Sequence, residues 1–236
     1  MLAPVFGSEA LPRRIKISII IVASATIYPL APMDHLDYPG LWGLVGQLVV
    51  EITIGIIIGF ILMLALAAIQ LAGEFIDRRM GFFLANVMAP QFAAQVPLIG
   101  QFKNILAILI FLAMNGHHKL FRALLHSFEV ARAGEFTASG QLVAKLMRIV
   151  GDLFPRAFQI ALPIMGTIFI IDVAFGLAAR AVPQMNIFIV GLPARILTGM
   201  TMLFIALPNF LSVFRRNFME AFHQINDLIR LIGAGG

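Results

Sequence analysis

The chain has 236 residues, 60% of them hydrophobic and only 12% charged, with a formal net charge of +5 and no cysteine. A soluble domain carries about twice that share of charge, so a water-soluble globular fold is excluded, and the missing cysteines exclude disulfides, thiolate metal sites and cysteine nucleophiles. The 17 basic residues against 12 acidic ones lie singly or in pairs, without a basic stripe or interleaved aromatics. That pattern argues against nucleic acid as a partner and for basic loops on the cytoplasmic side of a membrane.

A helix that spans a bilayer needs about 20 largely apolar residues. Residues 17–33 are a run of 17 without a charge, with Pro29 and Pro32 near its end, where the helix is expected to stop or bend. Arg13, Arg14 and Lys16 precede the run, but no small-residue cleavage site follows it, so a cleaved signal peptide is not expected. Residues 41–73 form the strongest apolar segment: 22 uncharged residues separate Glu51 from Glu74. The segment exceeds one span and is therefore expected to be tilted, broken or begun outside the hydrocarbon. Residues 74–101 are apolar but punctuated by Gly81, Pro90, Pro97 and Gly100, as loops are. Glu74 and Asp77, beside Arg78 and Arg79, read as a helix end at the headgroups. Only 13 uncharged residues lie between Lys103 and His117, which is short for a span.

Residues 118–156 are the most polar part, with Lys119, Arg122, Arg132, Lys145, Arg148 and Arg156 and an expected turn at 133–140. Apolar segments follow at 157–179, interrupted by Pro163, and at 187–214, with Pro193 and Pro208. Residues 215–232 read as an amphipathic helix, since Phe218, Phe222, Ile225, Leu228 and Ile232 recur at helical spacing. The fold class is thus an all-α membrane protein. Its orientation conflicts with simple alternation. Arg13, Arg14 and Lys16 and then Arg78 and Arg79 fit a cytoplasmic start and a return after two spans, whereas a third span at 102–116 would put the basic 118–156 region outside.

Four charges stand in or beside apolar helices: Glu51, Asp172, Arg180 and Arg195. A charge at mid-bilayer costs about 2.5–3.5 kcal/mol on insertion scales, so such groups either pair between helices or line an ion path. His117 and His118 are neighbours, with His126 farther on. Adjacent helical positions point about 100° apart, so the pair cannot chelate from one helix face, and no metal site is expected. Neither a Ser-His-Asp set nor a phosphate loop is present. No catalytic or cofactor-binding residues are assigned, and an enzyme is not expected. Gly55 and Gly59 form a small-xxx-small pair that favours close helix packing, prolonged by Gly73.

The strings Ala72-Gly73-Glu74-Phe75-Ile76-Asp77 and Met80-Gly81 resemble the centre of the FliR/SpaR/YscT family of type III export-gate membrane proteins, most like its flagellar branch. The similarity extends to residues 51–60, to Asn115-Gly116-His117, to residues 183–193 with Pro183, Gln184, Asn186 and Pro193, and to the early Ala3-Pro4-Val5-Phe6-Gly7. Two departures stand out. Members begin with another apolar helix ahead of the Ala-Pro-Val-Phe-Gly stretch, so this chain looks shorter by one N-terminal helix. Many also carry Asp-Pro where this chain has Ala89-Pro90.

The resemblance implies helical hairpins assembling into a multi-subunit helical export-gate core in the bacterial inner membrane, at the flagellar basal body. Residues 1–116 would be FliP-like and residues 117–236 FliQ-like. The implied partners are FliP-like and FliQ-like subunits, FlhB-like and FlhA-like components, membrane lipid and unfolded exported polypeptides. A loop of this subunit, residues 80–97 by position, would help plug the lumen. Met80, Phe82, Phe83, Leu84, Val87, Met88 and Pro90 are its candidate seal, because flexible apolar side chains can close a constriction by dewetting. Three other readings are a virulence-type secretion subunit, an ion or small-molecule transporter using Glu51, Asp172 and Arg195, and a membrane enzyme built on His117 and His118.

Overall fold

The computed structural model describes residues 12–30, 40–82, 97–130, 139–182, 184 and 186–233. Among these the chain is helical throughout, without a strand. Helix α1 runs Arg13–Ile27 and ends in a 3-10 turn, Tyr28–Leu30, where Pro29 was expected to stop it. Helix α2 is Gly40–Met80, α3 Leu98–Ala113 and α4 Gly116–Val130. Helix α5 is Gly140–Gly151, α6 Leu153–Ala181 and α7 Ile187–Gly233.

Two sequence expectations sharpen. Residues 41–73 exceed one span, as expected, and of the three alternatives a break is removed: α2 is one helix of 41 residues, about 60 Å long at 1.5 Å per residue, against about 30 Å of hydrocarbon. The expected amphipathic helix at 215–232 is the far end of α7, a helix of 47 residues that continues through Pro193 and Pro208. Proline removes one backbone donor and crowds the preceding turn, and apolar helices packed among neighbours tolerate it.

Among the described residues, three stretches are long and apolar enough to cross a membrane: Gly40–Met80, Gly140–Ala181 and Ile189–Gly233. Helices α3 and α4 add a fourth if the bent pair is one span. At 16 residues α3 is too short alone. The break falls at Met114 and Asn115, with Asn115 in the left-handed region (φ 56°). Gly116 follows, where a side chain would collide with the Phe111 ring. This bent pair is what the awkward third span becomes. Large apolar side chains remain exposed on α1, α2, α6 and α7, among them Ile21, Trp42, Ile52, Ile170 and Phe204. They suit lipid or other apolar helices rather than water.

The chain divides into two compact units, each drawing on several segments. Unit 1 comprises Met1–Ala65, Phe111–Gly151 and Arg216–Gly236. Phe111 packs its ring edge-on against Phe218 (centroids 5.3 Å apart) and stacks on Phe222 (6.3 Å). All five apolar residues of the predicted amphipathic stripe, from Phe218 to Ile232, are buried. The buried Asn217 amide donates to the Ala65 carbonyl at 2.8 Å, and Lys145 pairs with Asp227 at 2.7 Å.

Unit 2 comprises Leu66–Ile110 and Asp152–Arg215. Its buried apolar side chains on α2 are Ala68, Ile69, Ala72, Ile76 and Met80, which recur at three- and four-residue steps as one helix face does. Ala157, Ile160, Ala161, Ile164 and Ile168 supply the same pattern on α6.

Candidate functional site

The polar chemistry of unit 2 gathers where α2 ends and α3 begins. Helix α2 closes as a helix should. Arg78 and Arg79 sit in its last turn, where cations oppose the negative end of the dipole. Gly81 follows with φ 88°, a conformation that favours glycine, and its N–H bonds the Asp77 carbonyl at 3.1 Å. Helix α3 opens differently. Pro97 occupies its cap position and has no side-chain acceptor for the free N–H groups of the first turn. Asp77 supplies the cap from the other helix: its Oδ1 accepts from Ile99 N–H and its Oδ2 from Gly100 N–H, each at 3.0 Å. A carboxylate at a helix N-terminus also gains from the dipole.

The approach that makes this possible runs through glycine. A side chain on Gly73, one turn before Asp77, would collide with the Gly100 backbone. Gly73 and Gly100 therefore let α2 and α3 meet backbone to backbone. One turn on from Gly100, Lys103 is fully buried. Its Nζ has no hydrogen-bond partner among the described residues and lies 3.8 Å from the centroid of the Phe210 ring, a cation–π contact. Asp77 is itself 4% exposed. Asp77 does lie at the end of α2, as its reading as a helix end has it, but it is buried and caps the start of α3. Sequence reasoning missed Lys103 as well. The signal for both was an Asp four residues past a helix glycine, followed at a distance by Pro-x-x-Gly-x-x-Lys.

A second charged group lies on α6 and α7. Asp172 meets Arg195 with Oδ1 2.6 Å from Nε, and Arg79 approaches its Oδ2 at 3.9 Å. The pair is partly accessible, with side chains 23% and 37% exposed. Of the four charges singled out from sequence, the structure brings these two together. Glu51 is half-buried on α2 and Arg180 is exposed on α6, so Arg180 is not a buried charge.

The candidate seal divides. Met80 is fully buried on the last turn of α2, against Gly199 of α7, where an added Cβ would stand 2.7 Å from the Met80 side chain. Phe82 is half-buried. Phe83, Leu84, Val87, Met88 and Pro90 lie outside the described residues. Of the packing glycines, Gly59 is buried, while an added Cβ on Gly55 would touch nothing within 4 Å. Among the motif residues, Glu74 is half-buried on α2. Pro183 lies outside the described residues and Gln184 is exposed. Asn186 precedes α7 and accepts Ile189 N–H on its carbonyl at 3.1 Å, and Pro193 is exposed inside α7. His117 and His118 stack at 4.3 Å between centroids, and no three of the described His, Asp or Glu residues converge as a metal cage.

Long apolar helices, exposed apolar faces and a polar junction closed by backbone capping define an all-helical integral membrane protein built for packing. The family model for bacterial export proteins, family 1, matches residues 1–221. The chain is 37% identical over 186 residues to the flagellar biosynthetic protein FliR of Bacillus subtilis (strain 168), covering 78% of this chain and 72% of that one. It is 31% identical over 230 residues to the protein of that name from Pectobacterium carotovorum subsp. carotovorum, covering 96% and 87%. The Escherichia coli (strain K12) protein of that name is 28% identical over 230 residues, again covering 96% and 87%. The chain belongs to the bacterial export proteins, family 1.

Proposed function

We propose that this chain is a structural membrane subunit of a bacterial flagellar protein-export apparatus, part of the gate through which unfolded flagellar proteins leave the cell. The observation that carries the reading is the length of the similarity: relatives named as flagellar biosynthetic proteins align over 186 to 230 residues, not over one local motif. The role is mechanical. A gate for many unrelated polypeptides cannot read their sequences, so it requires a tightly packed frame and a nonspecific apolar seal. The Gly73–Gly100 approach and the Asp77 cap support such a frame at the root of the 80–97 segment, which we take to be the seal.

The same reading puts the chain in the inner membrane at the flagellar basal body, with FliP-like and FliQ-like subunits as direct partners and FlhB-like and FlhA-like components nearby. Residues 1–116 would be the FliP-like part and residues 117–236 the FliQ-like part. A transport role for Asp172 and Arg195 is less well supported, because the two groups already bind each other. The test is co-purification from membranes in mild detergent. Two other small membrane proteins recovered in fixed, unequal ratio support the subunit reading. A stable monomer or symmetric homodimer recovered alone would overturn it.

A further inference from the structure

Unit 1 holds a cleft of about 330 Å³ between α4 and the far end of α7. Lys119, Arg122 and His126 line it from α4, at i, i+3 and i+7 on one helix face, and Met219, Phe222 and His223 line it from α7. We propose that this cleft binds the phosphodiester headgroup of an anionic phospholipid.

The first argument is unspent charge. The Lys119 ammonium donates to the Met219 thioether at 2.9 Å and stands 5.9 Å from the Phe222 ring centroid. A thioether is a weak acceptor and an ammonium has three donors, so two N–H bonds are left for another group. Among the described residues neither Lys119 nor Arg122 has a carboxylate partner, whereas Lys145 of the same unit is held by Asp227. Glu129 is occupied by His126, at 3.3 Å from Nδ1. Among the described residues the two cations therefore face the cleft without a carboxylate partner, and phosphate oxygens are strong acceptors for both.

The second argument is the floor. Ala123, Met219 and Phe222 are apolar. A free phosphate would leave that surface unused, while a lipid carries acyl chains on the glycerol esters next to its phosphodiester. The volume is too small for a folded polypeptide segment.

The third argument is position along the helix. From residue 196 to 214 α7 carries no charge; from 215 to 233 it carries Arg215, Arg216, Glu220, Asp227 and Arg230. The cleft lies in that charged stretch, just past the apolar one, where a spanning helix leaves hydrocarbon for headgroups. Basic pockets between membrane helices bind anionic headgroups in this way.

The test is a lipid titration of the full-length chain in nonionic detergent, followed by phosphorus NMR line broadening. Phosphatidylglycerol, phosphatidylcholine and inorganic phosphate are the probes. Phosphatidylglycerol should bind and phosphatidylcholine should not. Binding should weaken by about tenfold or more in K119Q/R122Q, with two charge-assisted contacts removed, and stay unchanged in K145Q. Equal binding of the two lipids, or an unaltered K119Q/R122Q, overturns the proposal. Displacement of the lipid by inorganic phosphate at equal concentration overturns the lipid as occupant. Should K119Q/R122Q fail to fold, His223→Glu on the exposed rim gives the same decision: weakened phosphatidylglycerol binding upholds the site and unchanged binding removes it.

Discussion

Asp77 accepts the N–H of Gly100, and Gly100 is also the residue whose backbone leaves no space for a side chain on Gly73, one turn back along α2. The two contacts depend on each other. The glycine pair brings the helices close enough for a short Asp side chain to reach a backbone N–H, and the carboxylate holds them there while capping α3. The junction ties the last turns of α2 to the first turn of α3.

Replacing Asp77 with Ala leaves the N–H groups of Ile99 and Gly100 unpaired in a buried place. Hydrogen bonds to a charged group contribute about 1.5–3 kcal/mol each, and helix capping about 1 kcal/mol. We expect Asp77→Ala to lose several kcal/mol, and Asp77→Asn, which keeps one acceptor, to lose less. Thermal unfolding in detergent should rank wild type above Asp77→Asn above Asp77→Ala. Equal midpoints for Asp77→Ala and wild type would show that the cap contributes nothing.

Gly73 and Gly55 make a contrasting pair on the same helix. Glycine to alanine inside a helix gains about 1 kcal/mol from propensity alone. At Gly55 an added Cβ meets nothing within 4 Å, so Gly55→Ala in the isolated chain should be neutral or slightly stabilising. At Gly73 the added methyl meets backbone, which cannot swing aside as a side chain can, so Gly73→Ala should be destabilising despite the propensity gain. If Gly55→Ala is neutral in the purified chain but reduces recovery of partner subunits, that glycine faces a partner helix.

The Asp172–Arg195 pair tests the value of a half-exposed ion pair. Exposed pairs contribute about 0–1 kcal/mol, and breaking a buried one costs about 3–5 kcal/mol; partial exposure puts this pair between them. Asp172→Asn should lower the amount of chain accumulating in membranes and weaken export of flagellar proteins. The exchange D172R/R195D should recover part of both. Export abolished in Asp172→Asn at normal accumulation, with no recovery in the exchange, would instead point to a direct role of the carboxylate in passage.

The sequence made the class of fold legible because lipid imposes it. Runs such as 52–73 can satisfy their backbone in hydrocarbon only as helix, and the 3.6-residue stripe from Phe218 to Ile232 marked a face that is indeed buried. Helix ends were less legible. Pro163 read as an interruption of the 157–179 segment, yet α6 passes through it, since neighbouring helices decide whether the lost bond matters. The polar junction was the least legible. Asp77 and Lys103 are 26 positions apart, and their local sequence places each near a helix end, where charges are ordinarily solvated. What buries them is the Gly73–Gly100 approach, a tertiary fact that a single glycine in an apolar run does not announce.

Lys103 is the sharpest test of whether buried polarity in this junction serves stability. Its side chain is fully buried and its Nζ contacts the Phe210 ring without a hydrogen bond among the described residues. If the residue mainly fills space, Lys103→Met keeps the volume, removes the desolvation cost of the ammonium, and should leave the unfolding midpoint unchanged or raised. Lys103→Ala deletes the same volume without replacing it and should cost about 2–4 kcal/mol through the cavity. Export then separates stability from function. Normal export in Lys103→Met makes the lysine a packing residue with an incidental charge. Export lost in a Lys103→Met chain that is stable and accumulates normally makes the charge beside Phe210 part of the gate's working cycle, and the Asp77–Lys103 neighbourhood the next place to mutate.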